Sequence, residues 1–155
     1  MHTVNILTHL VESNLALAYL LIFLITIVEG EIIAIAAGIL VLLGAINFWI
    51  ALVLIFLGGM VKTFAGYFIG RFLHTKFQDH RFFQYVEKRV LGIMPHFREK
   101  PFWSIFISKF IMVNHLVILF AGYHNIDFKK YLKAEVSSTL FWAPGMILLG
   151  YFFSY

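Results

Sequence analysis

Four charged residues stand inside otherwise apolar stretches: Glu29, Glu31, Lys62 and Lys109. A charge at the centre of a membrane segment costs about 2.5–3.5 kcal/mol on insertion scales, so each marks a functional site by default. Glu29 and Glu31 flank Gly30. Two carboxyls that close oppose each other's ionisation, the property a proton relay needs. Lys109 is a compact positive charge suited to a phosphate group, and Asn114 and His115 follow it closely. Simpler roles compete. Lys109 could snorkel to the interface. Lys62, between Gly59 and Gly66, could pair with a glutamate and lock helices together. Asn114 and His115 could satisfy broken backbone at a helix interruption. The two acids and two bases cancel formally, as charges sharing a protein-lined or wet cavity should.

The elements that must position these residues are set by composition. Of 155 residues, 61% are apolar, 18% aromatic and 13% charged, with a mean hydropathy of +0.88. A soluble domain carries about 45–50% apolar and about 25% charged residues. This excludes a cytosolic enzyme, a nucleic-acid module and a disordered tail, and lipid is the expected solvent. With no cysteine there is no disulfide, thiolate nucleophile or Cys-ligated zinc. His74, His80, His96 and His124 lack ligand spacing, so neither a metal nor another cofactor is expected. No Ser-x-x-Lys nucleophile or phosphate-binding glycine loop occurs, so the chain does not read as an enzyme.

Apolar blocks cover Leu15–Val28, Ile32–Leu57 with a soft break at Gly44-Ala45-Ile46-Asn47, Gly58–Phe72, Phe102–Tyr123 and Leu140–Tyr155. A spanning helix needs roughly 20 apolar residues. Trp49–Phe72 and Tyr131–Phe153 reach that length, the latter opening on a polar turn near the interface. Residues 1–28 lack Lys and Arg, and no small-x-small site follows, so the N-terminus reads as retained rather than as a signal peptide. Between Leu73 and Pro101, basic residues alternate with Phe77, Phe82, Phe83, Tyr85, Val86 and Val90, the pattern of an amphipathic helix in the membrane interface.

Two motifs recur: Ala37-Gly38 as Ala121-Gly122, and Gly66-Tyr67-Phe68 as Gly150-Tyr151-Phe152, both 84 residues apart. Of 12 Lys and Arg, seven lie at 71–100, three are Lys129, Lys130 and Lys133, and none lies in residues 1–61. Basic loops stay cytoplasmic. Both flanks of Phe102–Tyr123 are basic, so that block should return to the side it entered. The expected fold is therefore an all-α membrane protein built as an inverted repeat. Each half is a re-entrant helical hairpin followed by a transmembrane helix, an arrangement transporters use around a midplane site. The whole chain, 1–155, reads as one membrane domain: first repeat 1–72, basic amphipathic connector 73–101 on the cytoplasmic side, second repeat 102–155. Both termini, positions 5 and 155, come out external.

The motifs resemble the DedA family, also called the SNARE-associated or VTT domain. The resemblance runs through Val28-Glu29-Gly30, Ala37-Gly38, Gly44, Asn47-Phe48-Trp49 and Gly66-Tyr67-Phe68-Ile69-Gly70-Arg71. It resumes at Lys109-Phe110, Ala121-Gly122, Phe128-Lys129-Lys130-Tyr131-Leu132, Trp142, Pro144 and Leu149-Gly150-Tyr151-Phe152. It implies facing re-entrant hairpins in a cell inner membrane and proton-linked movement of a phospholipid or undecaprenyl phosphate. Glu29 stands at the family's acidic position and Lys109 at its Arg or Lys. The chain departs from the pattern at Glu31, where proline is usual, and at Gly59 and Thr63, where acids are common. Met112-Val113-Asn114-His115 replaces Pro-Gly and a second Arg. Lys109, Lys62, Asn114 and His115 are the expected phosphate site, and Glu29 and Glu31 the expected proton carriers. The expected partners are membrane lipids and protons, and no nucleic acid. Either a homo-oligomer or the two hairpins would supply the cavity walls that two spans lack. A non-transporting member, whose buried charges only hold helices together, is the alternative; a small ion or proton channel is a third reading.

Overall fold

The structure is a computed structural model that describes His9, residues 13–76 and residues 81–154. Positions 5 and 155, on which the terminal orientation was to be read, and Phe77 and His80 of the connector lie outside the described residues. Those residues form seven helices and no strand: α1 Leu15–Val28, α2 Gly30–Leu42, α3 Phe48–Lys76, α4 Arg81–Ile93, α5 Pro101–Phe110, α6 Asn114–Tyr123 and α7 Phe128–Phe153.

The helix boundaries follow local chemistry. Glu29 adopts an extended conformation (φ −133°, ψ 86°) that ends α1 and starts α2, and it places Glu31 in the first turn of α2. A carboxylate there is favoured by the helix dipole. Gly44, at φ +70°, closes α2: its N–H donates to the Val41 carbonyl and that of Ala45 to the Leu40 carbonyl. These two bonds satisfy carbonyls the helix end would leave open. Asn47 then opens α3, its Oδ1 accepting from the N–H of Trp49 at 2.9 Å. The second half repeats the device. Asn125, at φ +50°, donates to Gly122, Ile126 donates to Ala121, and Asp127 Oδ1 accepts from Lys129 to open α7. Asparagine is one of the few residues other than glycine that take this conformation readily.

α3, with 29 residues, and α7, with 26, are long and apolar enough to cross a membrane. Only 22% and 33% of their most apolar windows are buried, so neither is the core helix of a soluble protein. Their outer faces carry Trp49, Val53, Leu57, Phe68, Phe72, Leu140 and Phe141, all exposed. Pro144 is accommodated inside α7 without ending it.

Packing divides the chain into two compact units with boundaries inside the long helices. The first comprises the described residues up to Lys62 and those from Leu140 onward; the second runs from Thr63 to Thr139. The first unit buries Ile22, Ala34, Ala37, Ile46, Ala51 and Ile55 with Trp142, Ala143 and Ile147 of α7. The second buries Tyr67, Val86, Val90, Phe97, Ile105, Val117, Phe120 and Tyr131. α4 is amphipathic as its sequence suggested: Phe83, Val86 and Val90 are buried inside the protein, while Phe82, Tyr85 and Ile93 are exposed. Phe83 stacks on Tyr123 at 4.2 Å between ring centroids. A helical period identifies an apolar face without saying what covers it.

Each unit is centred on a glycine crossing. In the first, a Cβ on Gly38 would strike the Ile147 carbonyl and approach Gly150 Cα. In the second, a Cβ on Gly122 would strike the Tyr67 carbonyl, while one on Gly70 would reach the Leu119 carbonyl and Gly122 Cα. Only glycine allows backbones this close. The partner of Gly150 in this comparison is Gly70, 80 residues back, and not the Gly66 expected from the repeated Gly-Tyr-Phe. The reason is the turn before each span. Ten residues separate Gly38 from the start of α3 at Phe48, and six separate Gly122 from the start of α7 at Phe128. The repeat distance thus falls from 84 in the short helices to 80 in the spans.

Candidate functional site

The second unit holds a polar cluster in which Glu135, on α7, is fully buried. Three helices converge on its carboxylate. Lys109, in the last turn of α5, donates from Nζ to Oε2 at 2.7 Å. Thr63 of α3 donates to the same oxygen at 3.0 Å. Asn114, the first residue of α6, donates to Oε1 at 2.9 Å and to Ser108 Oγ at 3.1 Å. Lys109 also donates to Thr139 Oγ1 at 2.6 Å, and Thr139 returns a bond to the Glu135 carbonyl at 2.6 Å. Tyr131, one turn before Glu135, fixes α3 by donating from its hydroxyl to the Thr63 carbonyl at 2.8 Å.

Local sequence explains the convergence. Tyr131, Glu135, Ser138 and Thr139 recur at four, seven and eight residues, which places them on one face of α7. The interruption at Ile111-Met112-Val113, with Met112 at φ 60°, separates α5 from α6 and lets Lys109 and Asn114 approach one carboxylate from two helices. A buried ion pair is tolerable only when its remaining valences are filled, and here each carboxylate oxygen is hydrogen-bonded.

Of the residues expected from sequence, Lys109 and Asn114 are brought together. His115 is exposed on α6. Lys62 is half-buried and belongs by packing to the first unit. In that unit Glu31 is buried, while Glu29, at the break between α1 and α2, is exposed. Glu135 was the residue missed. Its neighbours Lys129, Lys130 and Lys133 make the start of α7 read as a solvated turn. The periodic Tyr, Glu, Ser and Thr were the signal that one face turned inward. Among the described residues no group of His, Asp or Glu is placed to hold a metal ion.

The exposed apolar faces of α3 and α7, around a buried Lys–Glu pair, reverse the soluble pattern. No curated protein sequence and no solved structure matches the chain. A family model described as the VTT domain matches residues 4–152, nearly the full length. The all-helical architecture, the two long apolar helices and this match together make the chain a membrane protein of the VTT-domain, or DedA, family.

Proposed function

We propose that the protein moves a phosphate-bearing lipid, a phospholipid or undecaprenyl phosphate, across a cell inner membrane in a proton-linked cycle. The observation that carries this reading is the Lys109 ammonium, buried and donating to the Glu135 carboxylate and the Thr139 hydroxyl, in a family membrane protein. A cation kept at that cost is expected to serve an anion, and a lipid phosphate is the anion a membrane supplies. The two pairs of short helices, α1 with α2 and α5 with α6, act as re-entrant hairpins. The like-built glycine crossings support a repeat, read as inverted, and the Lys and Arg at 71–100 favour the cytoplasmic side for the connector 73–101. Lys62 would add a second positive charge, and Glu29 and Glu31 would carry protons. The protein acts as a carrier rather than an enzyme.

The test is translocation of labelled phospholipid and of undecaprenyl phosphate in proteoliposomes, with and without a pH gradient. Lys109→Ala and the double variant Glu29→Gln, Glu31→Gln are compared with wild type. Lipid movement lost in Lys109→Ala and sensitive to the gradient in wild type is the expected result. Loss of the gradient response in the double variant would assign proton transfer to the two glutamates.

One observation favours a second reading, a non-transporting structural or assembly protein: Lys109 is already neutralised by Glu135 inside the fold. No lipid movement by a well-folded wild type, with Lys109→Ala lowering only thermal stability, would select it.

A further inference from the structure

We propose that Glu135 is an internal counter-ion occupying the anion position of Lys109, and that protonation of Glu135 opens this position to a phosphate oxygen. The inference rests on the lipid-translocation reading for the identity of the substrate, but it concerns a residue and a coupling step that reading does not contain.

The donors around Glu135 come from three helices: Lys109 and Thr63 aim at Oε2, and Asn114 aims at Oε1. A phosphodiester presents the same chemistry, two oxygens sharing one negative charge. The cluster is therefore shaped for an anion, and in this structure a carboxylate of the chain itself fills it. Lys109 cannot neutralise two anions in a space from which water is excluded, because the second would be buried without compensation. Arrival of the phosphate thus requires Glu135 to lose its charge.

The balance is simple. Before binding, Lys109 carries one positive charge and Glu135 one negative. One proton adds to a Glu135 oxygen and one phosphodiester anion takes its place beside the Lys109 ammonium, so the site remains neutral. On release the proton leaves Glu135, whose carboxylate returns to Lys109. One proton therefore accompanies each negative charge, with no bond made or broken in the lipid.

Among the described residues, Glu135 is hydrogen-bonded by Lys109 from α5, Asn114 from α6 and Thr63 from α3, and Tyr131 on α7 lies within reach of its charge. Asn114 and Thr63 do not titrate, and the Tyr131 hydroxyl is held on the Thr63 carbonyl. Of these, Lys109 and Glu135 form the ion pair that would exchange.

The probe is dihexyl phosphate, a phosphodiester whose single charge does not itself titrate in the working range. It is added to the full chain in detergent, and binding is followed by thermal stabilisation while proton uptake is followed in weak buffer. Wild type should bind more tightly as pH falls, by up to about tenfold per pH unit, and take up about one proton per phosphate bound. Glu135→Gln should bind without that slope, and Lys109→Gln should bind at least tenfold more weakly. A contribution from His124 would be present in both wild type and Glu135→Gln, so only the difference between their slopes is read. Binding without proton uptake in wild type, or an unchanged slope in Glu135→Gln, overturns the proposal. The uptake measurement needs no variant, so its absence in wild type overturns the proposal even if Glu135→Gln does not fold. Coupled binding in a protein that moves no lipid would leave this site standing and remove the translocation reading. Lipid movement with no proton uptake would do the reverse.

Discussion

The two units share a glycine crossing and the same helix-closing turn, yet their interiors differ in kind. At positions 80 residues apart, Ala51 and Ile55 of α3 stand in the first unit where Tyr131 and Glu135 of α7 stand in the second. Likewise Ala143 and Ile147 of the first unit correspond to Thr63 and Tyr67 of the second. All eight are buried, four apolar on one side and four polar on the other. At these four positions one backbone arrangement thus tolerates either apolar residues or a hydrogen-bonded ionic set. The polar network is therefore not what the crossing needs in order to form. A network the scaffold does not require is best explained by use.

That comparison can be broken most directly by exchanging chemistry between the units. Ile55→Glu would bury a carboxylate in the first unit's apolar cluster, and Lys109→Met would strand Glu135. Each should cost about 3–5 kcal/mol, read as loss of thermal stability in detergent. The pair Lys109→Met with Glu135→Ile, which gives the second unit the first unit's chemistry, should recover most of that loss. A double variant as unstable as Lys109→Met would mean that the second crossing depends on its charges after all.

Next in size are the crossings. Gly38→Ala and Gly122→Ala each place a methyl against backbone carbonyls. Both should lose about 1–3 kcal/mol, and by similar amounts. Unequal losses would show that the units are less alike than their geometry suggests. The turns sharpen the point further. A Cβ on Gly44 would meet nothing within 4 Å, so Gly44→Ala tests backbone strain alone and should cost about 1 kcal/mol. Asn125→Gly, at the equivalent turn, should not destabilise.

The smallest expected effect is one of pH. Burial holds the His124 imidazole below its ordinary range, against the opposing pull of Glu87 at 3.9 Å. The unfolded chain therefore takes up this proton first. Stability should fall as pH drops through about 6.5 toward the lower folded value, and rise again above it. In His124→Asn the melting temperature should lose that part of its pH dependence.

Much of this was legible in the sequence. Trp49–Phe72 and Tyr131–Phe153 anticipated α3 and α7 because lipid-facing helices are apolar over a length nothing else requires. Glu29-Gly30-Glu31 marked the break between α1 and α2, and Lys109 with Asn114 marked the site. Two things were not legible. The division into units was hidden because each unit is assembled from segments far apart in the chain. Glu135 was hidden because a glutamate among Lys129, Lys130 and Lys133 looks solvated until the helix is turned and its face seen. His115 shows the converse, since adjacency to Asn114 in sequence put it 100° away around α6.

The ion pair joins residues 26 positions apart, with the cation first. During synthesis Lys109 leaves the ribosome ahead of Glu135 by about one to five seconds at ordinary elongation rates. Through that interval the ammonium lacks its Glu135 partner, and burying it alone would cost about 2.5–3.5 kcal/mol. Lys109 is expected to keep its stem reaching toward water until the first turns of α7 arrive. The cluster of Lys109, Thr63 and Asn114 around Glu135 is therefore completed late. A nascent chain stopped before Glu135 should leave Lys109 open to water-soluble amine reagents, whereas the completed protein shields it.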